Sequence, residues 1–200
     1  KGKRVAFQKG SSAHNLLLRL LAKSDLSMRD ITPLYLSPAN ARAAFAAGQV
    51  DAWAIWDPWY SALTLDGSAR LLANGEGLGL TGGFFLSSRR YTTAWGPFVQ
   101  QVMVQLNQAD GLLERDRAGS IKVLAQVSGL SPAVVERTLT HRPPASVQPL
   151  SAEVIKAQQA TADLFYAQRL LPKRVLVAPA VWRAPAVAAV PAAGKQAVGK

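Results

Sequence analysis

Two short segments hold the residues whose types and spacing suit chemistry. The first is Gln8-Lys9-Gly10-Ser11-Ser12-Ala13-His14, where a glycine turn joins a strand-like run to a serine-rich helix start. A helix start leaves backbone N–H groups without partners and carries the positive end of the helix dipole. With hydroxyls set beside those amides, Gly10, Ser11, Ser12 and Ala13 read as an anion site. His14 falls in the first helical turn, where its ring reaches the same anion or faces solvent. The plainer reading of the segment is that Ser11 or Ser12 simply caps its helix.

The second segment is Trp53-Ala-Ile-Trp56-Asp57-Pro58-Trp59-Tyr60. Trp56 and Trp59 suit an apolar wall around a ligand's carbon chain, whereas Trp53, inside a strand, reads as packing. Asp57-Pro58 reads as a helix start, with the aspartate as cap and the proline in the first turn. The Asp57 carboxylate also suits the ammonium group of a zwitterionic ligand.

Catalysis finds little support. No Gly-x-Ser-x-Gly, phosphate-binding Walker loop or dinucleotide fingerprint is present. Asp51 and Asp57 are not an acid/base pair, because six strand residues at about 3.3 Å each set them nearly 20 Å apart. Glu136, Glu153 and Asp163 read as solvated helix faces, and His141, in a proline-rich stretch, has no evident partner. With no cysteine and only two histidines, thiolate chemistry, disulfides and a histidine-rich metal site are excluded. No cofactor and no metal are expected.

The elements that must position these segments alternate. Arg4–Gln8 reads as a buried strand, followed by a helix with Ala13, Leu16, Leu17, Leu20 and Leu21 on one face. Ile31–Ser37 reads as a second strand, Ala39–Ala47 as a helix stopped by Gly48, and Val50–Trp56 as a third strand buried on both faces. A helix from Asp57-Pro58 to Asp66-Gly67 and a fourth strand over Ala69–Ala73 complete the unit. Strands and helices alternating at this spacing predict a parallel α/β sheet. Both chemistry-bearing segments then lie beyond the carboxyl ends of strands, where such sheets bind ligands.

The glycine-rich stretch Asn74–Gly83 reads as a crossing or hinge. Beyond it we expect a strand over Phe84–Ser88 and helices over Pro97–Ala109, Arg117–Val127 and Ser131–Leu139. A long helix capped by Ser151 should carry Val154, Ile155, Phe165 and Tyr166 on its apolar side. Val175–Val177 reads as a late strand and Arg183–Lys200 as a flexible Ala/Pro-rich tail. This half has little sheet of its own to pack on.

Composition bounds the function. The chain has 200 residues, 49% hydrophobic and 18% charged, enough for one good core or two small lobes and unlike a disordered segment. No apolar run reaches the roughly 18–20 residues of a membrane span. The net charge of +11 is spread along the chain, without a nucleic-acid-binding motif, so no nucleic-acid partner is expected.

The order of motifs resembles a known family. Lys1–Leu18, then Tyr35-Leu-Ser-Pro-Ala-Asn-Ala-Arg-Ala-Ala-Phe, then Val50-Asp-Ala-Trp-Ala-Ile-Trp-Asp-Pro are similar to the second lobe of periplasmic aliphatic-sulfonate-binding proteins. Gly129-Leu-Ser-Pro-Ala-Val-Val-Glu and Gln158–Trp182 are similar to that family's helical C-terminal part, so the resemblance covers roughly residues 1–182. It extends to taurine- and nitrate-type receptors and to thiamine-precursor-related proteins of the same fold.

The resemblance implies an α/β, two-lobed, periplasmic-binding-protein-like (type II) fold. It implies a complete second lobe over residues 1–81, a partial first lobe over 82–182, and the tail over 183–200. About a hundred residues of first lobe would precede Lys1, and without that wall the 200 residues are expected to bind ligand weakly. The implied function is the substrate-binding component of an ABC importer, a monomeric periplasmic receptor whose partners are an anionic alkanesulfonate and a membrane permease. Gly10, Ser11, Ser12, Ala13 and His14 would hold the sulfonate, and Trp56, Asp57 and Pro58 would form the same rim. A thiamine-pyrimidine-synthase-like enzyme and the effector domain of a transcription regulator share the architecture and stand as alternatives.

Overall fold

The computed structural model describes residues 1–80, 82–142 and 146–184. Strands β1 (Arg4–Phe7), β2 (Thr32–Tyr35) and β3 (Ala52–Trp53) form a sheet in the order β2-β1-β3. All pairings are parallel, with Ala6 opposite Leu34 on one side and Trp53 on the other. Helix α1 (Ser12–Lys23) joins β1 to β2, and helix α2 (Pro38–Ala46) joins β2 to β3.

Alternation along β1 divides the core between two faces. Val5 and Phe7 pack with Leu17 and Leu21 of α1, while Ala6 packs with Ala41 of α2 and with Val50. The two helices therefore cover opposite faces of the sheet. The chain leaves β1 toward β2 through α1 and returns through α2 to the far side of β1. This doubly wound order places its switch point between the carboxyl ends of β1 and β3.

At the opposite, amino-terminal edge, Arg4 locks the sheet. Asp51 Oδ2 accepts from the Arg4 backbone N–H (2.7 Å) and from its Nε (3.2 Å), and Asp51 Oδ1 accepts from Nη2 (2.9 Å). The guanidinium hydrogen bonds, ahead of the backbone one, hold the Asp51 carboxyl at about 2. A carboxyl lowered in the folded state stabilises above its unfolded value, about 3.9, and that stability is lost as pH falls through the folded value. Urea titrations should therefore show a loss between about pH 4 and pH 2 that Asp51→Asn flattens; parallel wild-type and variant curves would reject the assignment.

The strand reading needs four corrections, three of them in or near the sheet. β3 pairs only at Ala52–Trp53 and is half-buried, because it is the edge of the described sheet. Ala69–Ala73 forms no strand there: Ser68 N–H donates to Asp66 Oδ1 (2.8 Å) and Ala69 N–H to Leu63 C=O (3.0 Å). These bonds fold the chain back on helix α3 (Trp59–Leu65), leaving Leu71 and Leu72 exposed. Phe84–Ser88 is likewise irregular, with Leu86 91% exposed, since among the described residues no strand lies beside it to take its backbone groups.

Helices α4 (Arg89–Arg115), α5 (Arg117–Ser128), α6 (Pro132–His141) and α7 (Ala152–Ala167) make up the second half. α4 is broken at Trp95 (φ −127°, ψ 28°) because Pro97 lacks an N–H and its ring crowds the preceding turn. Gly129 ends α5 in the left-handed region (φ 71°), and Ser131 and Ser151 cap α6 and α7 as expected. The late strand over Val175–Val177 is absent. Its backbone is satisfied instead by one side-chain amide: Gln159 Nε2 donates to Val175 C=O and Val177 N–H donates to Gln159 Oε1, both at 2.9 Å.

Arg19 joins the halves. Its Nε donates to Asn15 Oδ1 (3.0 Å), its Nη1 to Leu78 C=O in the glycine-rich stretch (3.1 Å) and its Nη2 to Thr161 Oγ1 of α7 (3.2 Å). Phe98, Val104 and Leu112 on α4 are at least half exposed, so this half shows apolar helix faces as the sequence leads one to expect. From residue 185 onward the Ala/Pro-rich tail lies outside the described residues, as do Thr81, Pro143, Pro144 and Ala145.

Candidate functional site

The switch point brings together the two segments singled out by their residue types. Ala6 and Trp53 are register partners, and Ala54 N–H continues the ladder to Ala6 C=O (2.9 Å). β1 and β3 therefore run out side by side, one into Lys9-Gly10 and α1, the other into Trp56-Asp57-Pro58 and α3. Neighbouring strands lie about 4.8 Å apart, so both segments rim the same end of the sheet.

At the first segment, Gly10 turns the chain with φ +76°, a conformation that suits glycine. Ser11 is the cap of α1: its Oγ–H donates to Gln8 C=O (2.7 Å), and its Oγ accepts from His14 N–H (3.3 Å). Gly10 N–H is also engaged, donating to His14 Nδ1 at 3.1 Å. The donors left over are the backbone amides of Ser12 and Ala13, which find no acceptor among the described residues. The exposed Ser12 hydroxyl stands beside them.

His14 does not face solvent. It is 2% exposed, with its ring 4.7 Å from Phe7 and 5.9 Å from Phe165 of α7. Accepting at Nδ1 requires the proton to sit on Nε2. Burial, with the nearby Lys9 ammonium as a smaller contribution, lowers its pKa from the ordinary histidine value. His14 is thus a core residue that shapes the Gly10 turn.

At the second segment Trp56 is 36% exposed, whereas Trp59 lies 6.1 Å from the Trp53 ring with the Arg42 guanidinium over it. Of the two expected wall residues, Trp56 remains available and Trp59 is packed. Pro58, half-buried, occupies the cap position of α3, and Asp57 supports that helix from one residue earlier. Asp57 Oδ1 accepts from Ser61 N–H (2.9 Å) and from Ser61 Oγ–H, and Oδ2 lies 2.9 Å from His141 Nδ1. His141 therefore has a partner after all, and the Asp57 carboxylate is largely engaged within the protein.

Aspartate, histidine and serine together suggest a hydrolytic triad, but the geometry differs. One nitrogen, His141 Nδ1, faces both Asp57 and Ser61 Oγ (3.3 Å), and Ser61 is completely buried with its hydroxyl donating to Asp57. No base is placed to activate the serine.

Two further rim features escaped the sequence reading. The Lys9 ammonium stands 5.5 Å from the centre of the Tyr35 ring, and Tyr35 meets Phe7 edge-on at 5.1 Å. Tyr35 ends β2, so its place at a strand's carboxyl end was the available signal.

Comparison with known proteins shows what the chain is similar to. Residues 1–73 match the model of the NMT1-like family. The alkanesulfonate-binding protein SsuA from Xanthomonas axonopodis pv. citri, solved bound to MOPS, is 94% identical with a TM-score of 0.87 over 92% of this chain and 64% of its own. The periplasmic aliphatic sulphonate binding protein SsuA from Escherichia coli is 50% identical with a TM-score of 0.89, over 92% of this chain and 60% of its own. An Escherichia coli relative bearing an aliphatic-sulfonates-binding name is 51% identical over 183 residues, 92% of this chain. The chain spans 57% of that relative's length. Along nearly its whole length the chain is similar in sequence and fold to aliphatic-sulfonate-binding proteins.

Proposed function

We propose that the chain carries the switch-point rim of a substrate-binding component that delivers aliphatic sulfonates to an ABC importer in the periplasm. In this reading residues 1–81 are one lobe, 82–182 belong to the other, and the ligand sits between them. Gly10, Ser11 and His14 shape the turn, Ser12 and Ala13 meet the sulfonate, and Trp56, Asp57 and Pro58 form the adjoining wall. The observation that carries it is the pair of Ser12 and Ala13 amides at the start of α1, unpartnered among the described residues, on the same end of the sheet as the exposed Trp56.

A sulfonate stays ionised at every physiological pH, so it calls for fixed donors and not for a titrating base. Backbone amides at a helix start supply these, and charge-assisted hydrogen bonds are the stronger kind. The alkyl part then needs apolar cover, which Trp56 offers. No reacting group is required, and the site is one for binding.

Two-dimensional NMR with ethanesulfonate, sulfate and nitrate tests this reading. The Ser12 and Ala13 amides should move with saturation, in step with the Trp56 indole, at a Kd of about 1 mM or weaker for this one rim. Sulfate, lacking an alkyl part, should leave the indole still. Shifts scattered over the basic surface without saturation would reject the proposal.

A further inference from the structure

We propose that His141 is a positioning residue of the rim, which ties the Trp56–Pro58 segment to α6 through the Asp57 carboxylate. The inference rests on the reading of that rim as the sulfonate site. His141 is the last residue of α6 and stands 84 positions from Asp57 in the chain. An ionised carboxylate only accepts, so the Nδ1 that faces Asp57 Oδ2 must carry the proton. Ser61, wholly buried in the first turn of α3, gives Oδ1 two donors. The Tyr60 ring, 5.0 Å from the imidazole, holds it in place.

Three of the roughly four acceptor positions of the Asp57 carboxylate are thus filled from within the protein, with two consequences. The rim segment is fixed at its far end to a helix of the other half, so the wall beside α1 stands where the sheet alone would leave an edge strand free. The carboxylate's lone pairs are also directed toward Ser61 and His141. A ligand anion bound at Ser12 and Ala13 then meets Trp56 and Pro58 and not an open acid.

The geometry of the tie gives it a specific test. The side-chain nitrogen of asparagine falls where His Nδ1 sits, and that of glutamine falls where Nε2 sits. In the full chain, His141→Asn should keep the hydrogen exchange of Trp56, Tyr60 and Ser61 amides near the wild-type rate. His141→Gln and His141→Leu should raise it about tenfold, while the amides of Leu17–Leu21 stay unchanged. The ethanesulfonate Kd should follow the same order, weakened in the Gln and Leu variants and kept in Asn. Equal exchange in the Asn and Gln variants would overturn the tie, whatever the ligand result. Should the Leu variant fail to fold, the Asn and Gln pair decides alone. A wild-type chain that shows the exchange pattern but no ethanesulfonate binding would overturn the functional reading and leave the tie standing.

Discussion

Ser12→Pro should abolish most sulfonate binding while leaving helix α1 intact. Ser12 is the first helical residue after the Ser11 cap, and Ser11 already has the extended backbone (φ −85°, ψ 174°) that a following proline demands. Proline is well tolerated at this helical position because its missing N–H serves no intrahelical bond. The substitution therefore deletes one of the two free donors without taking anything the fold uses. A hydrogen bond to a charged group contributes about 1.5–3 kcal/mol, so the ethanesulfonate Kd should rise by tenfold or more. Ser12→Ala, which removes the hydroxyl and keeps the amide, should weaken binding far less. Circular dichroism and the unfolding midpoint should match wild type in both. A proline variant that binds as well as wild type would show that the amides at the start of α1 do not hold the anion.

That expectation is sharp because the start of α1 was legible from local sequence. A cap, an apolar face of helical period and a glycine turn are decided by residues within one or two turns of one another, and Ser11, Leu17, Leu21 and Gly10 all fall as read. The strands at Ala69–Ala73, Phe84–Ser88 and Val175–Val177 were not legible in the same way. Apolar residues make a strand only when a neighbour accepts the backbone groups, and here Leu63, Asp66 and Gln159 take several of those groups instead.

The site divides along the same line. The glycine turn before α1 and the tryptophan rim could be found from composition and position, because the doubly wound order sends both to one end of the sheet. The engagement of Asp57 could not, since His141 arrives from α6 and nothing near it in the chain announces that partner. The burial of His14 was hidden for the same reason: one side of its pocket is Phe165, supplied by α7. Residues whose role is set by distant elements were read as free, and the structure shows them occupied.

Phe7 carries the second large effect. It is fully buried at the carboxyl end of the central strand, where it packs with Val5, Leu17 and Leu21 and meets the rings of His14 and Tyr35. Phe7→Ala should cost about 3–5 kcal/mol, the range for removing a buried aromatic ring and leaving a cavity. Domains of this size are stable by only about 5–15 kcal/mol, so the urea midpoint should fall steeply. The cavity would open directly beneath His14, whose pKa is lowered chiefly because its ring is kept from water. In a variant that still folds, the His14 titration should therefore return toward the ordinary histidine value, and the Gly10 N–H that donates to its Nδ1 should exchange faster. Phe7→Leu, which keeps most of the volume, should lie between the two in both measurements. If Phe7→Ala lowered stability but left the His14 titration where it was, the burial that sets its pKa would have to come from Phe165 and α7 and not from the strand. The Gly10 turn would then depend on the second half of the chain as much as on the sheet.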